Sequence, residues 1–132
     1  MQPDTITLAV DELNNGVSVN HVMIRTDYTN SRSKYIGATH TAIARDEMSL
    51  FRSAAKASGN FRGVEKTSVK LTKDQSVPGA DGVSILTVPA IGECSFSLPI
   101  GMSSANKLLL RQCIVAAVDH AFMVALQDQL VI

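Results

Sequence analysis

The chain carries no excess of either charge: 12 Lys and Arg stand against 12 Asp and Glu in 132 residues. Bulk basicity, the usual mark of a nucleic-acid binder, is therefore absent. Cysteine is scarce. Cys94 and Cys113 lie far apart with neither CxxC nor metal-ligand spacing, so a disulfide framework or zinc site is not expected. Both read as buried free thiols, and a disulfide between them stays open. No apolar run reaches the length of a membrane span, and Met1-Gln2-Pro3-Asp4 lacks the basic start of a secretory leader. No GxSxG, HExxH, P-loop or GxGxxG pattern occurs. His21, His40 and His120 are scattered. Asp119-His120 is adjacent but has no third partner, and helix capping explains it better than catalysis. The expectation is a non-enzyme without metal or cofactor.

What charge there is falls unevenly. Arg45 to Lys73 holds seven basic and three acidic residues, whereas residues 1–31 hold one and four. A neutral chain with one basic strip still binds phosphate locally. The length suits one domain, divided into a sheet region over 1–100 and a helical region over 103–132.

Thr5 to Val10 and Val17 to Arg25 read as strands around the turn signal Asn14-Asn15-Gly16. Lys34 to Thr39 reads as a third strand, and His40 to Arg45 as a connection. Gly59-Asn60 is a two-residue turn pair. Folding the chain there sets Leu50 against Val69 and Met48 against Leu71. On the other face Ser49 meets Lys70, Phe51 meets Ser68, and Ser53 meets Lys66. Side chains alternate along a strand, so this register separates an apolar face from a Ser/Lys face, and a one-residue slip would destroy the separation. Lys66 and Lys70 with Ser49, Ser53 and Ser68 offer cations and hydroxyls to phosphates and unpaired bases, and Phe51 offers a stacking surface. A merely solvated sheet face has the same composition.

Ser76 to Gly82 reads as a loop from its Pro and Gly content. Val83 to Ile100 is strand-like with interruptions at Pro89 and Gly92. In its last part Cys94, Phe96, Leu98 and Ile100 point one way, and Glu93, Ser95 and Ser97 the other. Helix follows, capped by Ser103 or Ser104, with a break near Asp119. From Cys113 to Leu126 only Asp119 and His120 are polar. A helix on one sheet face needs one apolar stripe; this segment is apolar nearly all round. A second copy across a two-fold axis would cover it through Leu110, Ile114, Val118, Phe122 and Leu126. A folded-back second helix is the alternative cover.

The order of these parts resembles the coat proteins of single-stranded RNA bacteriophages over almost the whole chain. The nearest local likeness is Ser95-Phe96-Ser97-Leu98-Pro99-Ile100, a short loop, and the helix from Ser103, with similar spacing onward to Asp128-Gln129-Leu130. The resemblance implies an α+β fold: an N-terminal β-hairpin, an antiparallel sheet and two C-terminal helices, intertwined as a dimer with a continuous sheet. It implies a structural capsid subunit, a homodimer building an icosahedral shell around single-stranded genomic RNA, located in the virion, assembled in the bacterial cytoplasm and independent of membranes. It further implies binding of a genomic hairpin as translational repressor. RNA contacts would come from Ser49, Phe51, Ser53, Lys66, Ser68, Lys70, Glu93 and Ser95. Val77, Pro78, Gly79, Ala80 and Asp81 would form a loop between dimers. Ile91 stands where some members stack a base on Tyr, Glu93 puts an acid on the RNA face, and the helix break lacks proline. The competing reading is a cellular dimeric RNA-binding or regulatory module that forms no shell.

Overall fold

The computed structural model describes residues 2–129; the final expected helical residues, 130–132, lie outside that range. Six strands and two helices follow in order: β1 (Thr5–Val10), β2 (Val19–Tyr28), β3 (Arg32–Gly37), β4 (Asp46–Ser53), β5 (Val64–Pro78), β6 (Ile85–Pro99), α1 (Ser104–Val118) and α2 (Ala121–Gln129). The strands form one sheet in sequence order, β1-β2-β3-β4-β5-β6. By compactness the chain falls into two units, Met1–Ala55 with Glu65–Ser97 and Lys56–Val64 with Leu98–Ile132.

In the first unit, β1 and β2 form the expected hairpin, with Thr5 opposite Ile24 and Val10 opposite Val19. Asn14 and Gly16 take left-handed φ values of 50° and 82°, which the Asn-Asn-Gly sequence accommodates. The Asp11 carboxylate accepts from the backbone N–H of Asn15 and Gly16. These bonds to the charged form lower its pKa.

The register between β4 and β5 is the one read from the sequence: Met48 faces Leu71, Ser49 faces Lys70, Leu50 faces Val69, Phe51 faces Ser68 and Ser53 faces Lys66. Antiparallel partners project from the same face. One face therefore gathers Met23, Tyr35 and Met48 as its buried centre, with Ile6, Leu8, Leu50 and Val69 packed against them. Tyr35 is fully buried. Its phenol donates to the Pro3 carbonyl at 2.8 Å, and the Arg25 guanidinium bonds the Gln2 carbonyl and pairs with Asp4. The start of the chain is thus tied to the apolar face.

Several boundaries differ from expectation. β2 runs on to Tyr28 and β3 begins at Arg32, because Thr29 N–H closes a tight turn onto the Arg32 carbonyl at 2.7 Å. Arg52 N–H then bonds the Ser31 carbonyl at 2.9 Å, which holds this stretch to β4. Ser76, Val77 and Pro78 belong to β5 rather than to a loop; as the last strand residue, Pro78 fits the extended backbone. β6 continues through Pro89 and Gly92 without interruption. It ends the strand order, and a proline on an outermost strand can direct its missing N–H to the unpaired edge.

The remaining loop closes on Asp81. Its carboxylate accepts from the backbone N–H groups of Val83 and Ser84 at 3.1 and 2.9 Å and from the Ser84 hydroxyl. Gly79 N–H meets the Ser84 carbonyl at 2.7 Å. These donors hold the Asp81 pKa down to about 2, led by the Ser84 hydroxyl.

In the second unit, Ser58 and Phe61 bridge across Gly59-Asn60, with Gly59 at φ 58° in the first central position, where a type II′ turn calls for glycine. The ladder is open between this bridge and the Ser53–Lys66 pair. Gly63, at φ 92°, packs so closely that an added Cβ would lie 2.4 Å from the Lys56 carbonyl oxygen. Ser103 caps α1, its hydroxyl accepting from Asn106 N–H at 3.2 Å. The helix break is where expected, but Asp119 ends α1 as its C-cap. The ring of His120 supplies the first bond of α2, Nδ1 accepting from Phe122 N–H at 3.3 Å. The helices bend by 49° at this point. Neither helix contains a buried residue. Cys113, expected to be packed, is exposed and Cys94 is half-buried; both are free thiols.

Removing the hydroxyl with Tyr35→Phe should destabilise the protein by about 1 kcal/mol, the typical net value of one such hydrogen bond. The urea midpoint should fall while its slope is unchanged. An unchanged midpoint would mean that the Pro3 contact contributes nothing.

Asp81 sets a second expectation. Its folded pKa lies below its ordinary value of 3.8, so the clamp's contribution is present above that value and is lost as pH falls through about 2. Asp81→Asn should speed amide exchange at Val83 and Ser84 near neutrality. The difference from wild type should shrink below pH 3.8 and vanish below about 2. A difference independent of pH across this window would show that the carboxylate charge is not what holds the loop.

Candidate nucleic-acid interface

The sheet face opposite Met23, Tyr35 and Met48 carries a regular grid. Pairing between β3 and β4 sets Lys34 beside Ser49 and Arg32 beside Phe51. Pairing between β4 and β5 continues those rows to Lys70 and Ser68. One row is therefore Lys34, Ser49, Lys70; the next is Arg32, Phe51, Ser68; Ser53 and Lys66 follow. Neighbouring strands are about 4.8 Å apart, and same-face residues along a strand about 7 Å. The grid is thus fine enough to meet successive groups of a polymer with several side chains.

The six β4 and β5 residues singled out from sequence all lie on this face. Ser49 is covered by its neighbours, at 9% exposure, whereas Phe51 remains 36% exposed. A shallow cleft of about 230 Å³ brings Phe51, Ser53, Lys66 and Ser68 together with Ser95 from β6. Glu93 is not among the residues lining that cleft. Along β6 the side chains alternate as expected: Glu93, Ser95 and Ser97 are exposed, and Cys94, Phe96 and Leu98 are half-buried.

Sequence reading missed Arg32 and Lys34 because it began β3 two residues late and did not pair it with β4. The signal was available. A turn centred between Thr41 and Ala44, where Thr41 N–H bonds the Ala44 carbonyl at 2.8 Å, places both cations beside the Ser/Phe strand. Their charges are not equally free. Lys34 Nζ lies 2.8 Å from Glu47 Oε1, and Asp27 faces Lys34 from β2. Arg32 instead rests over the Phe51 ring, 5.5 Å from its centroid, within the range of a cation–π contact. Among the described residues, Arg32, Lys66 and Lys70 form no salt bridge.

The basic strip also contains structural charges. Arg45 binds Asp74, with Nη2–Oδ1 at 3.1 Å and its backbone N–H on Oδ2 at 2.9 Å. The Arg45 side-chain hydrogen bonds lower the Asp74 pKa, while Arg45 is itself raised by the same pairing. His40 Nδ1 accepts from Asp46 N–H at 3.2 Å. His21 Nε2 lies 2.6 Å from Glu12 Oε1. These histidines serve the backbone and a surface pair, and no group of three metal-ligating side chains gathers among the described residues.

The residues Leu110, Ile114, Val118, Phe122 and Leu126 occupy the helices α1 and α2. Ile114 is half-buried and the other four are exposed, Val118 at 60% and Phe122 at 52%. In the segment expected to lie between dimers, Val77 and Pro78 end β5 while Gly79, Ala80 and Asp81 make the turn.

No family model and no curated protein sequence matches the chain. Solved structures do. The virus-like particle of bacteriophage AVE019 shares 19% identity and superposes with a TM-score of 0.76, covering 97% of this chain and 95% of that one. The fold is that of phage capsid proteins. A second virus-like particle, from bacteriophage ESE058, matches at 15% identity and TM-score 0.70 over 99% and 98% of the two chains. The capsid protein of bacteriophage GA matches at 18% and 0.60 over 95% and 93%. The capsid-protein fold thus extends over both units and the whole run of strands and helices.

Proposed function

We propose that this chain is the capsid subunit of an RNA phage: it pairs with a second copy, and the dimers close into a shell around single-stranded RNA. The observation that carries this reading is the pair of helices without a single buried residue. Leu108, Leu109, Val115, Val118, Phe122 and Val124 each keep 47% or more of their surface in water. So large an apolar exposure is unusual for a monomer and marks a surface that another chain covers. β6 adds a second unsatisfied surface. Ile85, Leu86 and Ile91 are exposed, and as the last strand in the order β6 has one unpaired edge. A second β6 across a two-fold axis would pair those N–H and C=O groups and extend the sheet. The partner's helices would then cover apolar surface that one chain leaves bare.

The Ser/Lys face, with Arg32, would line the shell interior and meet RNA. Ser49, Phe51, Ser53, Lys66, Ser68, Lys70 and Ser95 supply hydroxyls, cations and an aromatic ring; Glu93 would sit at the margin. Such a face holds phosphates without regard to sequence and leaves base contacts to the hydroxyls and the ring. Recognition of one genomic hairpin, with repression of its translation, would use the same surface. Gly79, Ala80 and Asp81, with the end of β5, would make contacts between dimers. The subunit would be made in the bacterial cytoplasm and end in the virion.

Electron microscopy of the purified protein should show uniform closed shells that protect RNA from nuclease. Soluble dimers that bind RNA but never close would instead support a cellular RNA-binding module. Ile114→Asp and Leu126→Asp should each abolish dimers and folding together, because a buried unpaired charge costs several kcal/mol, comparable to the stability of a small domain. Stable, soluble monomers of either variant in sedimentation would refute the helical interface.

A further inference from the structure

Phe51 lies at the centre of the grid with three cations around it that, among the described residues, no carboxylate engages. Arg32 is its neighbour on β3. Lys70 and Lys66 flank Ser68, its neighbour on β5. Lys34, the fourth cation, is held by Glu47. The acids on this face lie away from Phe51: Asp27 on β2 opposite Lys34, Glu47 beside Ile36, Asp74 held by Arg45, and Glu93 on the outermost strand. The immediate surroundings of Phe51 are therefore cationic, hydroxylic and aromatic.

The exposed ring and the guanidinium are in contact but not locked: Arg32 is exposed and no hydrogen bond anchors its side chain among the described residues. An aromatic ring offers any nucleobase a stacking surface, and a guanidinium can slide from the ring face to the edge of a base stacked there. Its planar fork matches the two adjacent acceptors of guanine, O6 and N7. Adenine presents an acceptor beside a donor and fits it poorly.

We infer that Arg32 and Phe51 together form a seat for a single unpaired guanine of RNA, with Lys66 and Lys70 holding the neighbouring phosphates. This assignment rests on the reading of the face as an RNA surface. It makes Arg32 the residue that reads base identity, whereas Lys66 and Lys70 read only charge. Lys34, neutralised by Glu47, contributes little to either.

The test uses full-length protein, kept dilute enough to remain unassembled. Fluorescence anisotropy would follow its binding to labelled nine-nucleotide RNAs, all uridine except for a central guanine or a central adenine, across a salt series. Wild type should favour the guanine oligomer about tenfold, within the range of one bidentate base contact. Arg32→Ala should erase that preference. Arg32→Lys should erase it too while retaining most of the salt slope, because lysine keeps the charge but not the fork. Lys66→Ala with Lys70→Ala should lower the slope by about one to two and leave the preference intact. Equal wild-type affinity for the two oligomers, or a preference that survives Arg32→Ala, would overturn the guanine seat while leaving the RNA face standing. An unchanged slope in the double lysine variant would instead remove the RNA face, and the seat with it. Thermal melting of each variant guards against misfolding, and agreement between Arg32→Ala and Arg32→Lys on base preference excludes a general loss of structure.

Discussion

The pairing of β4 with β5 is the constraint on which the rest of the sheet depends. Met48 and Leu50 must meet Leu71 and Val69 on the same side for Tyr35 and Met23 to have an apolar surface to pack against. A strand alternates with period two, so no adjustment smaller than a full inversion is available. The same register that buries Met48 obliges Ser49, Phe51, Lys66 and Lys70 to project from the other side. Core and open polar face are two consequences of one alignment, and neither can change its residues without disturbing the other's placement.

The two sides meet different requirements. On the packed side the chain consolidates its own start: Tyr35 reaches Pro3, and Arg25 reaches Gln2 and Asp4. These contacts join residues more than twenty positions apart and close the hairpin onto the sheet. On the open side the charges are sorted by partner. Arg45 is occupied by Asp74 and Lys34 by Glu47, whereas Arg32, Lys66 and Lys70 form no salt bridge among the described residues. A strip that looks uniformly basic in sequence thus separates into structural and available cations once its carboxylates are in place.

The second unit is ordered locally yet leaves apolar side chains exposed. Its turns and helix starts are formed: Gly59 and Gly63 take the backbone conformations that side chains resist, Ser103 starts α1, and His120 starts α2. Local hydrogen bonding specifies each helix, but no residue of α1 or α2 is fully buried.

The sequence by itself determined the β1–β2 hairpin, the Ser49–Lys70 register, the alternation from Glu93 to Ile100, the Ser103 cap and the break near Asp119. Each follows from period-two patterning, a turn glycine or a short-range cap, all of which act between residues close along the chain or related by one turn. The tertiary structure decided what depends on neighbours from another strand: that β6 passes unbroken through Pro89, that Ser76 to Pro78 extend β5, and that Asp81 closes a compact loop. It also decided which cations remain available, because an ion pair such as Arg45–Asp74 joins residues 29 positions apart and leaves no local pattern. Arg32 came into view only when β3 was paired with β4, since a side chain's position on a face is set by alternation, but its neighbour across the sheet is set by register.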